Sequence, residues 1–309
     1  MTATNELFVL AHFGIPHVEP QRWTLVVDGL VKRKAAFQLA ELMAHPKVIV
    51  ESVHECAGNP LQPKLATRRV ANVRWGGVDL VALLEKLGVE PSAQFIWSYG
   101  LDGGTFVETQ CNWYCKDLPL SRLAAGGVIL AYELNGEPLS ATHGFPLRLV
   151  VPGYYGTNSV KWLWRLRLAR QRANGPFTTL FYNDKIADVD LATGNPQLKP
   201  AWSLAPESII VAPAAGAVLT CGEPTEIWGW AWSFHEISAV EISTDDGANF
   251  CRATLEARRG WAWQRFSLNW RPLGAGDARV SVRAMQADGI GQPAAGARNA
   301  MHSVTVSVR

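Results

Sequence analysis

The residues of this 309-residue sequence whose types and places suit chemistry include a cysteine, Cys56, and the cations His143, Arg148 and Lys161. Cys56 follows Lys47 to Val53, an apolar run rich in β-branched residues that reads as a buried strand. The run ends in Cys56-Ala57-Gly58-Asn59-Pro60, which is turn chemistry. A sulfur held where a buried strand opens into a Gly/Asn/Pro loop can face a cleft rigidly. That suits a soft thiolate ligand to one metal or a nucleophile; a buried cysteine acting as a small hydrophobe has the same pattern. His143 and Arg148 flank a Gly/Pro-punctuated loop around the strand Leu147 to Val151, and Lys161 follows. Such cations are costly to bury unpaired, so together they suit a dianionic group.

The elements that must position these groups are legible in outline. Asp79 to Leu87 reads as a helix, with Leu80, Leu83, Leu84 and Leu87 on one face, Asp79 as cap and Gly88 after the end. Phe37 to Met43 reads as a short helix, and Trp23 to Val27 as a strand turning at Asp28-Gly29. Phe95 to Tyr99 and Val128 to Leu134 read as strands. Val160 to Ala169 alternates Trp162, Trp164, Leu166 and Leu168 against Lys161, Arg165 and Arg167, the period of a half-buried strand. Residues 174–206 read as a loop-rich connector. From Glu207 about seven short strands at regular spacing predict a β-sandwich of immunoglobulin type, with Trp228, Trp230 and Trp232 on one strand face. The expected domains are thus 1–173, a connector 174–206, and 207–309.

The net charge of +2 gives no reason to expect nucleic acid or a membrane surface as partner. No apolar stretch approaches the roughly 20 residues that span a bilayer. The N-terminus lacks a basic region followed by an apolar run, so a cytoplasmic location is expected; a periplasmic chain with its leader removed would read the same. Five spread cysteines do not suggest a disulfide framework. Cys111 and Cys115 have a spacing met in zinc sites, but no second pair or histidine lies near them in sequence, which favours two thiols. Lys64, Arg68, Arg69 and Arg74 make the loop after Cys56 basic, either as a solvated face or for docking anions.

Cys56-Ala57-Gly58-Asn59 resembles the Cys-Ala-Gly-Asn motif of the sulfite oxidase family of molybdenum enzymes, and His143 to Gly153 with Val160 to Leu163 resembles its second signature. The resemblance covers nearly the whole chain. It implies an α+β molybdopterin-binding catalytic domain followed by an all-β immunoglobulin-like dimerisation domain, and hence a homodimer. It implies Cys56 as the protein's ligand to molybdenum. It also implies that His12, Asp102, His143, Arg148, Ser159 and Lys161 bind or adjoin the pterin, and that Tyr182, Trp75, Arg68 and Arg69 lie near the substrate. Around Pro146 to Leu168 the chain also resembles the family's sulfane dehydrogenases.

The resemblance departs at specific points. Leu10 and Leu61 stand where sulfite-specific members carry arginines, and His235 is the nearest cation to a third such position. Losing charge-assisted bonds of about 1.5–3 kcal/mol each weakens anion affinity by orders of magnitude. No Cys-x-x-Cys-His haem site is present, so a separate electron-transfer partner, a cytochrome or similar, is expected. The expected function is oxidation of sulfite or a related sulfur compound. The alternatives are reduction of an S-oxide or N-oxide, and a dimeric binding protein without chemistry.

Overall fold

The computed structural model describes residues 1–59, 69–189 and 196–309, with the backbone alone for 185–189 and 196. The chain divides into two compact units, Met1–Ala57 with Val73–Trp202, and Gly58–Asn72 with Ser203–Arg309.

The first unit runs β1 (Leu25–Gly29), β2 (Ala35–Phe37), α1 (Leu39–Met43), β3 (Lys47–Glu55), β4 (Val70–Asp79), α2 (Leu80–Leu87), β5 (Phe95–Gly100), β6 (Gly104–Phe106), β7 (Thr109–Cys111), β8 (Cys115–Pro119), β9 (Ile129–Leu134), β10 (Glu137–Pro138), β11 (Arg148–Val150), β12 (Leu163–Ala169), α3 (Pro176–Thr179), β13 (Asn183–Val189) and β14 (Pro196–Pro200). Two sheets dominate. One has the order β2-β1-β12-β5-β8; the other runs β10-β9-β4-β3, with β11 added to β9. In the first sheet Val27, Ile96, Leu118, Leu166 and Leu168 share the buried face, as their registers require.

Helix α2 forms as its pattern predicts. Asp79 Oδ1 accepts from the Ala82 amide at 2.9 Å, the four leucines are buried, and Gly88 ends it at φ 72°. Phe37 is not helical: it closes β2 opposite Leu25, and α1 starts two residues later. Asp28-Gly29 is not a turn. Both residues stay in β1 because β12 pairs alongside them, and the chain reverses only over 30–34. The strand expected from Val160 begins at Leu163, because Trp162 sits at φ +49° and breaks the alternation. A bulge between Leu163 and Arg165 then turns Trp164 to the same side as Arg165, against the simple period. The connector contains α3 and the β13–β14 hairpin.

The second unit holds β15 (Glu207–Ala212), β16 (Val218–Leu219), β17 (Thr225–Trp232), β18 (Ile237–Ser243), β19 (Cys251–Arg252), β20 (Thr254–Leu255), β21 (Gln264–Trp270), β22 (Gly276–Gln286) and β23 (His302–Val308). They form two sheets, β15-β17-β21-β20 and β16-β23-β22-β18-β19. Ile210, Ile227 and Phe266 from the first pack with Val240, Ile242, Val280, Val282 and Val306 from the second in one core, so this unit is a two-sheet sandwich. No helix among the described residues is long and apolar enough to cross a membrane.

Candidate active site

Strand β3 runs from the surface inward, with Ser52, Val53, His54 and Glu55 all buried. Its period of two puts His54 and Cys56 on the same side, and both open onto one cleft of about 690 Å³, its mouth included. The cleft lies wholly within the first unit. Leu7, Phe8, Leu10, Ala11 and His12 line one wall. Asp102, Tyr114, Thr142, His143, Arg148, Gly156, Thr157, Ser159, Lys161, Trp162 and Tyr182 complete it.

Arg148 is the electrostatic centre. It is fully enclosed, and its guanidinium stacks 4.6 Å above the Trp75 ring. Nη1 donates to the His143 carbonyl and Nη2 to the Ser159 carbonyl, each at 3.1 Å, and Nη2 faces His54 Nε2 at 3.4 Å. Among the described residues no carboxylate pairs with it. Burial pulls its pKa down to about 9. Burial first, then the charge of Arg148, holds His54 well below the usual histidine range. His54 is therefore neutral, and its Nε2 can accept from the guanidinium.

Lys161 donates to the Thr142 carbonyl at 2.9 Å and lies 4.2 Å from the Trp162 ring centre. Burial, reinforced by Arg148, lowers its pKa to about 7, with Asp102 opposing. Burial raises Asp102 to about 6, and Lys161 opposes that shift. His143 Nδ1 is engaged by Ser140 Oγ at 2.9 Å, whereas its buried Nε2 and Arg148 Nε have no hydrogen-bond partner. Burial, then Arg148, lowers the His143 pKa, and the Leu7 carbonyl lies close enough to oppose this. His12 Nε2 meets the Tyr182 hydroxyl at 2.5 Å; burial and Lys161 lower His12 to about 4, so it is neutral. Gly156 passes so close to His54 that a Cβ there would lie 3.0 Å from Nε2, and at Gly144, φ +107°, a Cβ would meet Lys161 at 3.1 Å. The positive φ at Gly144 requires glycine beside Lys161, and at Gly156 a side chain would crowd the neutral His54.

Eight of the residues picked from sequence line this cleft: His12, Cys56, Asp102, His143, Arg148, Ser159, Lys161 and Tyr182. Ser159 is already used structurally, its Oγ accepting from the Val151 amide at 3.0 Å. Trp75 does not line the cleft. It is enclosed behind Arg148 because β4 is an inner strand of its sheet. Arg68, like Lys64 and Leu61, lies outside the described residues; Arg69 is exposed in the second unit, its backbone amide donating to Asn59 Oδ1 at 2.9 Å. Cys111 and Cys115 are buried, and burial pushes the Cys115 thiol up to about 12. Among the described residues no three His, Cys, Asp or Glu side chains are grouped to hold a metal ion. Sequence reasoning missed His54, Tyr114, Thr142 and Thr157. The signal for His54 was its place two residues before Cys56 on a strand.

Residues 12–177 match the family model described as the oxidoreductase molybdopterin binding domain, and residues 199–307 match the one described as the Mo-co oxidoreductase dimerisation domain. The chain belongs to the sulfite oxidase family of molybdopterin oxidoreductases. It is 33% identical over 292 residues to sulfite oxidase of Gallus gallus, covering 85% of this chain and 62% of that one. It is 31% identical over 291 residues to mitochondrial sulfite oxidase of Mus musculus, covering 87% and 52%. A nitrate reductase of Brassica napus is 28% identical, over 90% of this chain and 34% of that one. The chain thus spans about half the length of the mouse enzyme and less of the nitrate reductase. Sulfane dehydrogenase SoxCD from Paracoccus pantotrophus superposes with a TM-score of 0.82 at 25% identity, covering 100% of this chain and 83% of that one.

A family molybdopterin fits the residues present. Buried His143 Nε2 and Arg148 Nε make no hydrogen bond, glycine at 144 and 156 leaves room beside Lys161 and His54, and among the described residues no carboxylate ion-pairs with Arg148. A testable consequence concerns Lys161. With only protein groups around it, its pKa of about 7 leaves it largely neutral at pH 8. An anion favours its charged form, so binding raises that pKa and draws in a proton. Sulfate, whose charge is fixed over this range, is expected to bind the cofactor-free chain most tightly below pH 7 and to weaken as pH rises through it. Calorimetry at pH 8 in two buffers of different ionisation heat reads the uptake; none there would remove Lys161 from the cradle.

Proposed function

We propose that this chain oxidises sulfite or a related sulfur compound at a molybdenum centre and passes the electrons to a separate carrier. The observation that supports it most is the convergence, in one cleft, of the Cys56 sulfur with His143, Lys161 and Arg148, of which the buried Arg148 has no carboxylate partner among the described residues. Cys56 would ligate the metal. His143, Arg148 and Lys161 would bind the pterin and its anionic end by charge-assisted bonds, with His54 and Asp102 beside them. The bound group would supply oxygen transfer and two-electron redox chemistry. The protein's part is positional. Strand β3 fixes the sulfur, Trp75 and two carbonyls fix the guanidinium, and neutral His12 orients the Tyr182 hydroxyl toward the substrate side. The second unit we read as immunoglobulin-like and as the contact of a homodimer.

A second reading, reduction of an S-oxide or N-oxide, is favoured by the wall of Leu7, Phe8, Leu10 and Ala11, which offers a bare dianion no donor side chain. The experiment is a metal and pterin assay on purified protein, then two turnover tests. Sulfite-dependent reduction of phenazine ethosulfate supports the first reading; turnover of S-oxides by a reduced dye, without sulfite oxidation, supports the second. Absence of molybdenum and pterin rejects both.

A further inference from the structure

The outward face of the sheet β2-β1-β12-β5-β8 carries an aromatic and cationic patch that the cleft does not use. Arg165 stands opposite Tyr99, and Arg167 opposite Trp97, in the β12–β5 register. The guanidinium of Arg165 lies 5.5 Å from the Tyr99 ring and 6.0 Å from Trp164, and that of Arg167 lies 5.9 Å from Trp97. Trp164 packs 5.1 Å from Trp113, which is 44% exposed, a high value for so large an apolar ring. The face has two carboxylates, and each is already held by an arginine: Asp28 by Arg165 and Asp117 by Arg172. Arg167 is exposed and has no carboxylate partner among the described residues, and Arg170, just past the end of β12, is exposed as well. The patch is therefore positive, with an aromatic centre of the kind enriched in protein interfaces.

Its place relative to the cleft is what gives it a role. Trp113 precedes Tyr114, which lines the cleft. Trp164 Nε1 donates to the Gly100 carbonyl at 3.2 Å, and the Gly100 amide donates to the Tyr114 carbonyl at 2.9 Å. The Tyr114 amide in turn donates to the carbonyl of Asp102, a cleft residue, at 2.7 Å, and the Leu101 amide to that of Trp162 at 3.0 Å. One layer of hydrogen-bonded backbone thus has Tyr114, Asp102 and Trp162 on the cleft side and Trp113 and Trp164 on the other.

We propose that the Trp113–Trp164 patch with Tyr99, Arg165 and Arg167 is the docking surface for an acidic one-electron carrier protein. This rests on the oxidoreductase reading above. Oxidation of sulfite to sulfate takes its oxygen from water and releases two protons and two electrons. Two successive one-electron transfers to the oxidised carrier complete the balance.

The probe is cytochrome c with its lysines succinylated, an acidic one-electron carrier, against native basic cytochrome c of the same size and redox group. Binding to the cofactor-free chain is read by calorimetry at low salt. The acidic form is expected to bind, to weaken as salt rises, and to weaken about tenfold or more with Arg167→Glu and Arg170→Glu together. Neither arginine holds a carboxylate among the described residues, so both ion pairs of the face survive. Arg259→Glu with Arg271→Glu, exposed in the second unit and equal in charge, is the control and should change binding little. Tighter binding of the native form, or equal loss in both double variants, overturns the docking surface. Sulfite-dependent reduction of phenazine ethosulfate by the loaded protein is scored separately. Its absence counts against the oxidoreductase reading, whereas dye reduction that persists while either binding result fails counts against the docking surface alone.

Discussion

Cys56→Ser is expected to lower turnover by more than about 100-fold while leaving fold and pterin content near normal. The bound on the loss comes from groups one step removed from a metal, whose replacement alone costs 10–100-fold; a direct ligand should cost more. The two side chains are nearly isosteric, and the site is a strand end whose position is set by the burial of Ser52 to Glu55, not by the sulfur. The cations that would hold the pterin lie on other segments, at His143, Arg148 and Lys161. A serine hydroxyl is harder and far less acidic than a thiol and is a poor ligand for a soft metal site. Circular dichroism, metal content, fluorescence of the released pterin and turnover are measured on the same sample. Undiminished turnover would remove Cys56 from the centre.

Arg148→Met separates the cost of burying a charge from its use. In the cofactor-free chain the variant loses donors to the His143 and Ser159 carbonyls, about 1–3 kcal/mol for each acceptor left unsatisfied. It also removes a guanidinium whose burial drags its pKa to about 9, and relief of that penalty is stabilising and of similar size. The two oppose, so the melting temperature of the cofactor-free form should move little. With pterin present the balance changes. Two charge-assisted bonds of about 1.5–3 kcal/mol each are lost, so pterin retention should fall by about 10²–10⁴-fold. Arg148→Lys keeps the charge but not the fork and should fall between. Pterin content after dialysis and calorimetric melting of both forms check this; normal retention in Arg148→Met would show that the guanidinium is structural.

The lining of the cleft was legible where a residue's chemistry was abnormal for its surroundings. A cysteine at a strand-to-turn junction and cations among apolar strands stand out because burial makes them costly. Trp75 could not be sorted, because tryptophan is ordinary in cores and in pockets alike, and only the position of β4 decides which. His54 was missed because a histidine inside an apolar strand looks like a packed one until Arg148, 94 residues later, comes to face it. The α2 helix was readable because its cap, apolar face and stop agree. Asp28-Gly29 was misread because a local turn signal was overridden by pairing with β12, which lies far along the sequence. The alternation through Val160 to Ala169 failed at Trp162, whose left-handed backbone no simple period encodes, and at Trp164, which the bulge turns to the side of Arg165.

The contact between His12 and Tyr182 spans 170 positions. A nascent polypeptide leaving the ribosome therefore carries Cys56 well before Tyr182, the last residue of this lining, has been made. Such long-range closure is slow and comes late in folding. The lining of the cleft is thus complete only once residue 182 has emerged, while most of the second unit is still to be made.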